Sequence, residues 1–241
     1  MEQIRLNKYL AQCGICSRRE ADRLILQGEV LVNGQSAEMG QTICGTDCVT
    51  VRGKQIRDEG KKAVLAFYKP AGVVCTEKDP HAEKKINDMI DYPVRVTYAG
   101  RLDKDSEGLL LLTNDGDLIH AVTRGANRHE KEYIVKVNKE ITDNFLVKMR
   151  SGIYLKDLEI KTRECRIEKT GKYTFQIILT QGVNRQIRRM CEACGYQVKG
   201  LKRIRIMNIH LDGLKPGEYR EITGKELAEL YEGASRPGTV G

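Results

Sequence analysis

The sequence is poor in aromatic residues and in long apolar runs. It has no tryptophan, three phenylalanines and ten tyrosines among 241 residues, so aromatics make up 5% of the chain. Such a low content argues against an extended platform for stacking single-stranded nucleic acid. The longest aliphatic run, residues 109–112, is far too short to cross a bilayer. Residues 1–5 lack the apolar stretch of a secretory signal, so we expect a cytoplasmic protein with no membrane partner.

Charge, by contrast, is abundant and unevenly distributed. Lys and Arg number 41 against 33 Asp and Glu, which gives a formal net charge of +8. With 40% hydrophobic and 31% charged residues, the composition is that of a globular chain that buries a core, and it argues against a disordered one. Residues 181–209 contain seven Lys and Arg against one Glu, a net +6. This concentration indicates a partner that presents phosphates.

Eight cysteines raise the question of disulfides or a bound metal. A reducing compartment disfavours disulfides. The Cys-x-x-Cys pairs Cys13/Cys16 and Cys191/Cys194 could together form the zinc site of a metal-stabilised binding module. However, Cys13, Cys191 and Cys194 fall on the apolar stripes of predicted helices. We therefore expect these thiols to be buried, as free cysteines tend to be, and we expect no metal site.

The first 60 residues predict a small module of two helices and short strands. Apolar residues from Leu6 onward recur at helical spacing. A second helix begins with a capping box, in which Ser17 and Glu20 satisfy each other's backbone amides. The dipeptide Asn33-Gly34, after a short apolar strand, is a strong hairpin signal. The polar, glycine-containing segment 57–62 predicts a domain boundary.

Both predicted helices also carry basic residues on their other faces. A solvated surface is the common fate of such charges. Yet Arg19 and Arg23 lie four positions apart on one helix, where like charges repel unless an anion lies between them. We therefore expect this face to bind an anionic partner. Its basic residues are Arg5, Lys8, Arg18, Arg19 and Arg23.

The most informative segment of the larger module is 100–108 (GRLDKDSEG), which is charged and bounded by glycines. It runs directly into residues 109–113 (LLLLT), a continuous apolar strand of the kind that is buried on both faces. Asp103 lies close to the point where the chain enters the core. A carboxylate there can be held rigidly with restricted access to solvent, as a nucleophile requires. Asp105 and Glu107 fit a solvated turn.

Residues 131–137 (KEYIVKV) alternate as a strand does. Tyr133 shares a face with Val135 and Val137, so a half-buried core aromatic is one interpretation of this tyrosine. Residues 185–194 predict a helix with one apolar stripe and one basic stripe. In a strand that follows, Arg203 and Arg205 alternate with isoleucines.

Several of these blocks resemble known families. The segments 5–10 (RLNKYL), 17–21 (SRREA) and 30–34 (VLVNG) together resemble an S4 RNA-binding domain. With 100–103 (GRLD), 131–133 (KEY) and 184–190 (NRQIRRM), the chain resembles the RsuA/RluB/RluE/RluF family of ribosomal RNA pseudouridine synthases, above all its RluF type. The resemblance spans the chain to about residue 223.

The resemblance implies an α+β protein with two domains. An S4 domain of the αL type is expected over residues 1–60. A pseudouridine synthase catalytic domain with a mixed, largely antiparallel central sheet is expected over residues 63–232. The glycines and proline of residues 233–241 predict a flexible tail.

The resemblance also implies an activity. The family isomerises a uridine: the glycosidic bond breaks, the uracil rotates, and the base is rejoined to the sugar through carbon. The substrate implied for this chain is a specific uridine of 23S, the large-subunit, ribosomal RNA. Asp103 matches the catalytic aspartate, Arg188 the arginine that pairs with it, and Tyr133 the tyrosine that packs against the target base. No redox or group-transfer step occurs, so no cofactor is implied.

The implied partner is ribosomal RNA or a ribosomal precursor particle, bound by a monomer. In the larger module, RNA contacts are expected from Arg101, Arg185, Arg189, Arg203 and Arg205. Two alternatives remain open at this point: a non-catalytic RNA-binding ribosome-assembly factor, and the zinc-stabilised binding module. The joint presence of Asp103, Tyr133 and Arg188 favours the enzyme.

Overall fold

The computed structural model describes residues 3–58, 60–76 and 86–236. The described residues divide into two compact units. The smaller unit holds the chain up to Ala63 together with Tyr92–Thr97 and Thr113–Gly116, and the larger unit holds the rest. Inside the smaller unit the Thr113 hydroxyl donates to the carbonyl of Ala63 at 2.6 Å. A boundary drawn along the sequence between residues 60 and 63 leaves out these two returning segments.

The smaller unit combines two helices with short antiparallel strands. Its helices are α1 (Leu6–Gln12) and α2 (Arg18–Leu26). Its strands are β1 (Ile4–Arg5), β2 (Val30–Val32), β3 (Gln35–Ser36), β4 (Thr42–Ile43), β5 (Val49–Val51) and β6 (Lys54–Ile56). Strands β3-β2-β5-β6 form one sheet in that order, and β1 pairs with β4.

Local signals in the sequence account for these elements. The Ser17 hydroxyl accepts a hydrogen bond from the Glu20 amide at 3.2 Å, so Ser17 caps α2 as predicted. Asn33 and Gly34 both have positive φ, 53° and 82°, as the tight turn between β2 and β3 requires. One prediction is wrong in detail: Cys13 follows the end of α1 and is only half-buried, whereas Cys16 lies in the core.

The remaining helices and strands follow in chain order. The strands are β7 (Val64–Lys69), β8 (Thr97–Tyr98), β9 (Glu107–Thr113), β10 (Lys131–Val137), β11 (Tyr154–Leu155), β12 (Ile160–Lys161), β13 (Arg166–Gly171), β14 (Thr174–Leu179), β15 (Val198–Ile206), β16 (Ile209–His210) and β17 (Tyr219–Glu221). The helices are α3 (Gly116–Thr123), α4 (Asp143–Arg150), α5 (Gln186–Ala193) and α6 (Gly224–Ser235). Two short 3₁₀ helices cover Ile86–Met89 and Gly125–Asn127.

In the described residues nine strands form one mixed sheet, whose main path is β13-β14-β10-β15-β9-β7-β17. The pairs β13–β14, β14–β10, β10–β15 and β7–β17 are antiparallel, whereas β9 runs parallel to β15. The α+β class and the mixed, largely antiparallel sheet are therefore confirmed. Strand β9 is buried at every position after its first, as its run of leucines predicts.

The described residues of the larger unit form two apolar clusters. One contains residues of β10, β14 and α5, including Val135, Ile177 and Met190. The other contains residues of β7, β9 and α6. Because Ala234 of α6 is packed in this second cluster, the flexible tail predicted from residue 233 begins too early. Residues 237–241 lie outside the described part of the chain. None of the described helices combines the length and the apolarity needed to span a membrane.

Candidate active site

A buried lysine anchors the loop that carries Asp103. Lys69, at the end of β7, is completely buried. Its ammonium group donates to the carbonyl of Ser106 at 2.7 Å and to that of Pro70 at 2.8 Å. Burial is the main influence on the pKa of Lys69 and lowers it. Three positions after Asp103, the chain is thus tied to the core by a charged donor, which holds the loop in place.

Asp103 lies in a cavity of about 600 Å³ in the larger unit. Its side chain is 28% exposed, so the carboxylate is partly shielded from solvent but still reachable. Tyr133 of β10 lines the same cavity and packs partly against the first apolar cluster. The structure therefore brings together two of the three predicted catalytic residues. The spacing predicted a half-buried core aromatic at Tyr133, and a residue in that position can also form part of the cavity wall.

The arginine nearest to Asp103 is Arg185. Its Nη1 atom lies 3.7 Å from an Asp103 carboxylate oxygen and 3.2 Å from one of Asp105. Arg185 is the residue that precedes α5, and its backbone is left-handed, with φ of 50° and ψ of 33°. Helical periodicity does not predict this conformation, which is rare for a residue with a side chain.

The expectation that Arg188 pairs with Asp103 is not met. The Nη2 atom of Arg188 instead donates to the backbone carbonyl of Asp105 at 3.0 Å and to the Ser106 hydroxyl at 3.2 Å, and it lies 3.2 Å from the Asp105 carboxylate. Arg188 lies in the first turn of α5, and its side chain contacts Asp105 and Ser106 of the loop. In this structure it braces the loop, while Arg185 supplies the guanidinium beside Asp103.

Asp105 is more than the solvated turn residue expected from the sequence. Its side chain is half exposed, and it binds Arg185 through both carboxylate oxygens, at 3.2 and 3.3 Å. Burial alone would raise the pKa of Asp105, but the hydrogen bond from Arg185 and the charges of Arg188 and Arg185 outweigh it and lower the pKa. Asp105 therefore stays ionised and holds both arginines at the loop.

Arg203 and Arg205, from which RNA contacts are expected, are not exposed. Strand β15 has a bulge opposite Glu132 and Tyr133, and the register shift there places Arg203 in the interior, at 3% exposed. Arg205 forms ion pairs with Glu132 and, at 2.9 Å, with Glu130. The prediction of direct phosphate contacts is therefore corrected for this pair: Arg205 is neutralised by carboxylates, and Arg203 lines the cavity.

The other basic residues predicted to bind RNA are distributed over both units. In the larger unit Arg101 is exposed and lines the cavity, whereas Arg189 forms an ion pair with Asp157.

In the smaller unit Arg18 and Arg19 are exposed on α2. Arg23 pairs with Glu20, so its repulsion with Arg19 is relieved inside the chain and needs no outside anion. Arg5, also exposed, donates to the carbonyl of Gly40 at 2.7 Å, and Lys8 is half-buried on α1.

Several residues of the site were missed by the sequence reasoning. The local sequence of Lys69, a lysine before a proline, predicts only a turn. Cys75 lines the cavity with its buried thiol, which accepts a hydrogen bond from the Leu102 amide at 3.5 Å. Gln186 is buried at the start of α5, and its side-chain carbonyl oxygen accepts a hydrogen bond from the Val183 amide at 3.2 Å. None carries a signal in the sequence, since their partners are remote or lie in an irregular loop.

The cysteines of the two Cys-x-x-Cys pairs belong to apolar surroundings. Burial raises the pKa of Cys191 to about 12, and Cys194 packs against the same cluster. A thiol with a raised pKa is a poor metal ligand, because metals bind the thiolate. In the parts of the chain that the structure describes, no cluster of three His, Cys, Asp or Glu side chains could hold a metal ion.

The chain is similar to known proteins over most of its length. The model of the RNA pseudouridylate synthase family matches residues 63–193, and the model of the S4 domain matches residues 4–47. The dual-specificity RNA pseudouridine synthase RluF of Escherichia coli O6:H1 is 47% identical over 95% of this chain and 79% of its own length. The ribosomal large subunit pseudouridine synthase B of Bacillus subtilis (strain 168) is 35% identical over 94% and 95%.

A solved structure shows the same likeness in three dimensions. The crystal structure of a pseudouridylate synthase is 30% identical in sequence to this chain and superposes on it with a TM-score of 0.70. The match covers 94% of this chain and 99% of that one.

Proposed function

This chain belongs to the RNA pseudouridylate synthase family and carries an N-terminal S4 domain, and on that premise we propose that it converts a uridine of large-subunit ribosomal RNA into pseudouridine. The reaction is an isomerisation. The bond between C1′ of the ribose and N1 of uracil breaks, and a bond between C1′ and C5 forms. C5 loses a proton and N1 gains one, so no reagent is consumed.

One observation supports this proposal above the others: the Asp103 carboxylate and the Tyr133 ring line one cavity of about 600 Å³. A cavity of that size accepts a nucleotide base that has left its stack. We infer that Tyr133 packs against the base and that Asp103 acts on the ribose or the base. The Nη1 atom of Arg185 lies 3.7 Å from an Asp103 carboxylate oxygen and places a positive charge beside it.

We infer that RNA is held through basic residues of both units. Arg101 is an exposed residue at the cavity and suits a phosphate that flanks the target nucleotide. On the S4 domain, the exposed residues Arg18 and Arg19 of α2 suit phosphates elsewhere on the RNA. We further propose that the protein acts as a monomer in the cytoplasm, on ribosomal RNA or on a precursor particle.

Mapping of pseudouridines tests the proposal. Ribosomal RNA is isolated from cells with and without this protein and is treated with a reagent that marks pseudouridine for reverse transcription. At least one stop in the large-subunit RNA is expected to disappear when the protein is absent and to return when the unaltered chain is supplied. Identical maps from both kinds of cell would contradict the proposal and favour the assembly-factor alternative.

A further inference from the structure

Arg203 stands out among the residues around the cavity, because an arginine is almost never fully buried unless its charge is paired. Its side chain is 3% exposed, and it lines the cavity that contains Asp103 and Tyr133. No carboxylate among the residues that the structure describes is recorded in an ion pair with it. The desolvation of the Arg203 charge is therefore not offset by a carboxylate among the described residues.

Only part of the Arg203 guanidinium is satisfied inside the protein. The Nε atom donates to the carbonyl of Leu109 at 2.7 Å. The Nη2 atom is buried and has no hydrogen-bond partner among the residues that the structure describes. A buried charged donor that lacks an acceptor costs more than an ordinary unmet hydrogen bond. Such a donor beside a cavity is explained if a ligand supplies the acceptor.

The position of Arg203 is fixed by the sheet. Its backbone lies so close to Gly108 that a Cβ atom on Gly108 would come within 2.2 Å of the Arg203 carbonyl oxygen. On the other side, Arg203 is the cross-strand partner of Tyr133. Arg203 thus belongs to β15, which lies in the sheet between β10, the strand of Tyr133, and β9, the strand that follows the Asp103 loop. A rigid strand of this kind favours precise positioning of a bound group.

The charges nearby also favour an electron-rich ligand. Lys131 begins β10, and burial, with the positive charge of Arg203 as the second cause, lowers its pKa to about 8. Lys131 and Arg203 are thus two like charges close together, and their repulsion is reduced when a ligand carries or develops negative charge.

From this geometry we propose that Arg203 is a substrate-contacting residue, whose Nη2 donates a hydrogen bond to a carbonyl oxygen of the target uracil. This inference rests on the proposed function. When the C1′–N1 bond breaks, its electron pair stays with the ring, and the negative charge spreads to O2 and O4. If Asp103 instead adds to the ring, charge again collects on a carbonyl oxygen. A fixed donor at that oxygen stabilises the charge by either route.

The observations favour the base over a phosphate as the acceptor. Phosphates remain on the RNA backbone, and the cavity already has an exposed guanidinium group at Arg101 to meet them. Arg203 is buried beside Tyr133, where only a group that has entered the cavity can reach it. The uracil of an extruded nucleotide is the part that enters.

The test compares RNA binding with the rate of pseudouridine formation under single-turnover conditions, using the full chain and large-subunit ribosomal RNA. In Arg203→Lys an ammonium group cannot serve Leu109 and the base together. In Arg203→Ala the donor is absent. Both rates are expected to fall about 100-fold, while the Kd for RNA changes less than about threefold. Added guanidinium ion is expected to restore part of the activity of Arg203→Ala, because it fits the space left by the side chain.

Controls separate this role from a structural one. Arg220→Ala removes an arginine that pairs with Glu226 at the edge of the sheet, and it is expected to keep the unaltered rate and to gain nothing from guanidinium. Unaltered rates in both Arg203 variants, or in Arg203→Lys alone if Arg203→Ala does not fold, would overturn the inference. So would a loss confined to RNA affinity, or a slowed Arg203→Ala that guanidinium leaves unimproved. If the unaltered chain itself forms no pseudouridine, the proposed function fails together with the inference.

Discussion

At the scale of single residues, the site depends on how charged groups are shared around one short loop. Asp103 faces Arg185, while Arg188 and Lys69 bind the backbone of the loop beyond it. The sequence identifies Asp103 and Tyr133 through short motifs that the family shares. It does not reveal which of two neighbouring arginines meets the aspartate, because that depends on the left-handed backbone of Arg185 at the start of α5.

Lys69 shows why some residues escape prediction altogether. Its acceptor at Ser106 is 37 positions away along the chain. The local pattern of a lysine before a proline predicts only a turn. The burial of its charge becomes understandable once β7 and the Asp103 loop are seen together.

The substitution Lys69→Met tests the anchoring role of this lysine. Removal of the ammonium group leaves the carbonyls of Ser106 and Pro70 without their donor in a buried place, so we expect the free energy of unfolding to fall by about 2–4 kcal/mol. Urea denaturation measures the change. The matched control is Lys225→Met, since Lys225 is 91% exposed and should change stability by less than about 0.5 kcal/mol. Equal stability of the two variants would show that Lys69 anchors nothing.

At the scale of helices and strands, periodicity predicted most of what positions the site. The strand expected over residues 131–137 matches β10, and the apolar stripe expected on α5 is buried at Ile187, Met190 and Cys191. The failure lies in β15, where the alternation of Arg203 and Arg205 with isoleucines predicts a regular strand and RNA contacts were expected from both arginines. A bulge shifts the register of β15 against β10, and no residue pattern in the sequence predicts this bulge.

Gly108 also determines how β15 is placed, because its lack of a side chain allows β9 to approach β15 closely. Its φ is +109°, and an added Cβ would clash with the Arg203 backbone. We expect Gly108→Ala to lower the free energy of unfolding by at least about 2 kcal/mol, from backbone strain and from the displaced strand.

Thermal unfolding of Gly108→Ala is best compared with that of Gly116→Ala. Gly116 begins α3, and apart from its chain neighbours and the backbone of its own helix no heavy atom of the described residues lies within 4 Å of the position of its missing Cβ. That control should change stability by less than about 0.5 kcal/mol, because alanine favours the helix. A Gly108→Ala variant as stable as the control would mean that the close approach of β9 and β15 is not required.

At the scale of the whole molecule, composition correctly indicated a globular chain, and the family motifs correctly indicated an S4 domain and a mixed sheet. What the sequence could not provide is the discontinuous make-up of the smaller unit. Segments Tyr92–Thr97 and Thr113–Gly116 belong to it although a large part of the chain separates them from its helices. Only three-dimensional contacts, such as that between Thr113 and Ala63, assign them there.

The overall positive charge makes a prediction about salt. Exposed arginines that contact phosphates displace counterions, so the logarithm of the binding constant falls with the logarithm of the salt concentration. Replacement of Arg18 and Arg19 together by alanine should weaken RNA binding and reduce that slope by about 1–2. Titrations of large-subunit RNA at several salt concentrations measure it.

The control for this titration is Arg52→Ala, an exposed arginine of the same unit that is already paired with Glu29. Its slope should match that of the unaltered chain. Should the double variant also keep the unaltered slope, α2 would face solvent only, and the S4 domain would have to contact RNA elsewhere.

The chemistry proposed for the molecule depends finally on the Asp103 carboxylate, and the variant Asp103→Asn tests it with almost no change in shape. Large-subunit RNA is bound to the variant, and pseudouridine is counted after a single turnover. We expect a Kd within about twofold of that of the unaltered chain and a rate at least about 1000-fold lower, because the amide can neither attack nor accept a proton as a carboxylate does. Pseudouridine formed at the unaltered rate would contradict the assignment of Asp103 as the residue that carries the reaction.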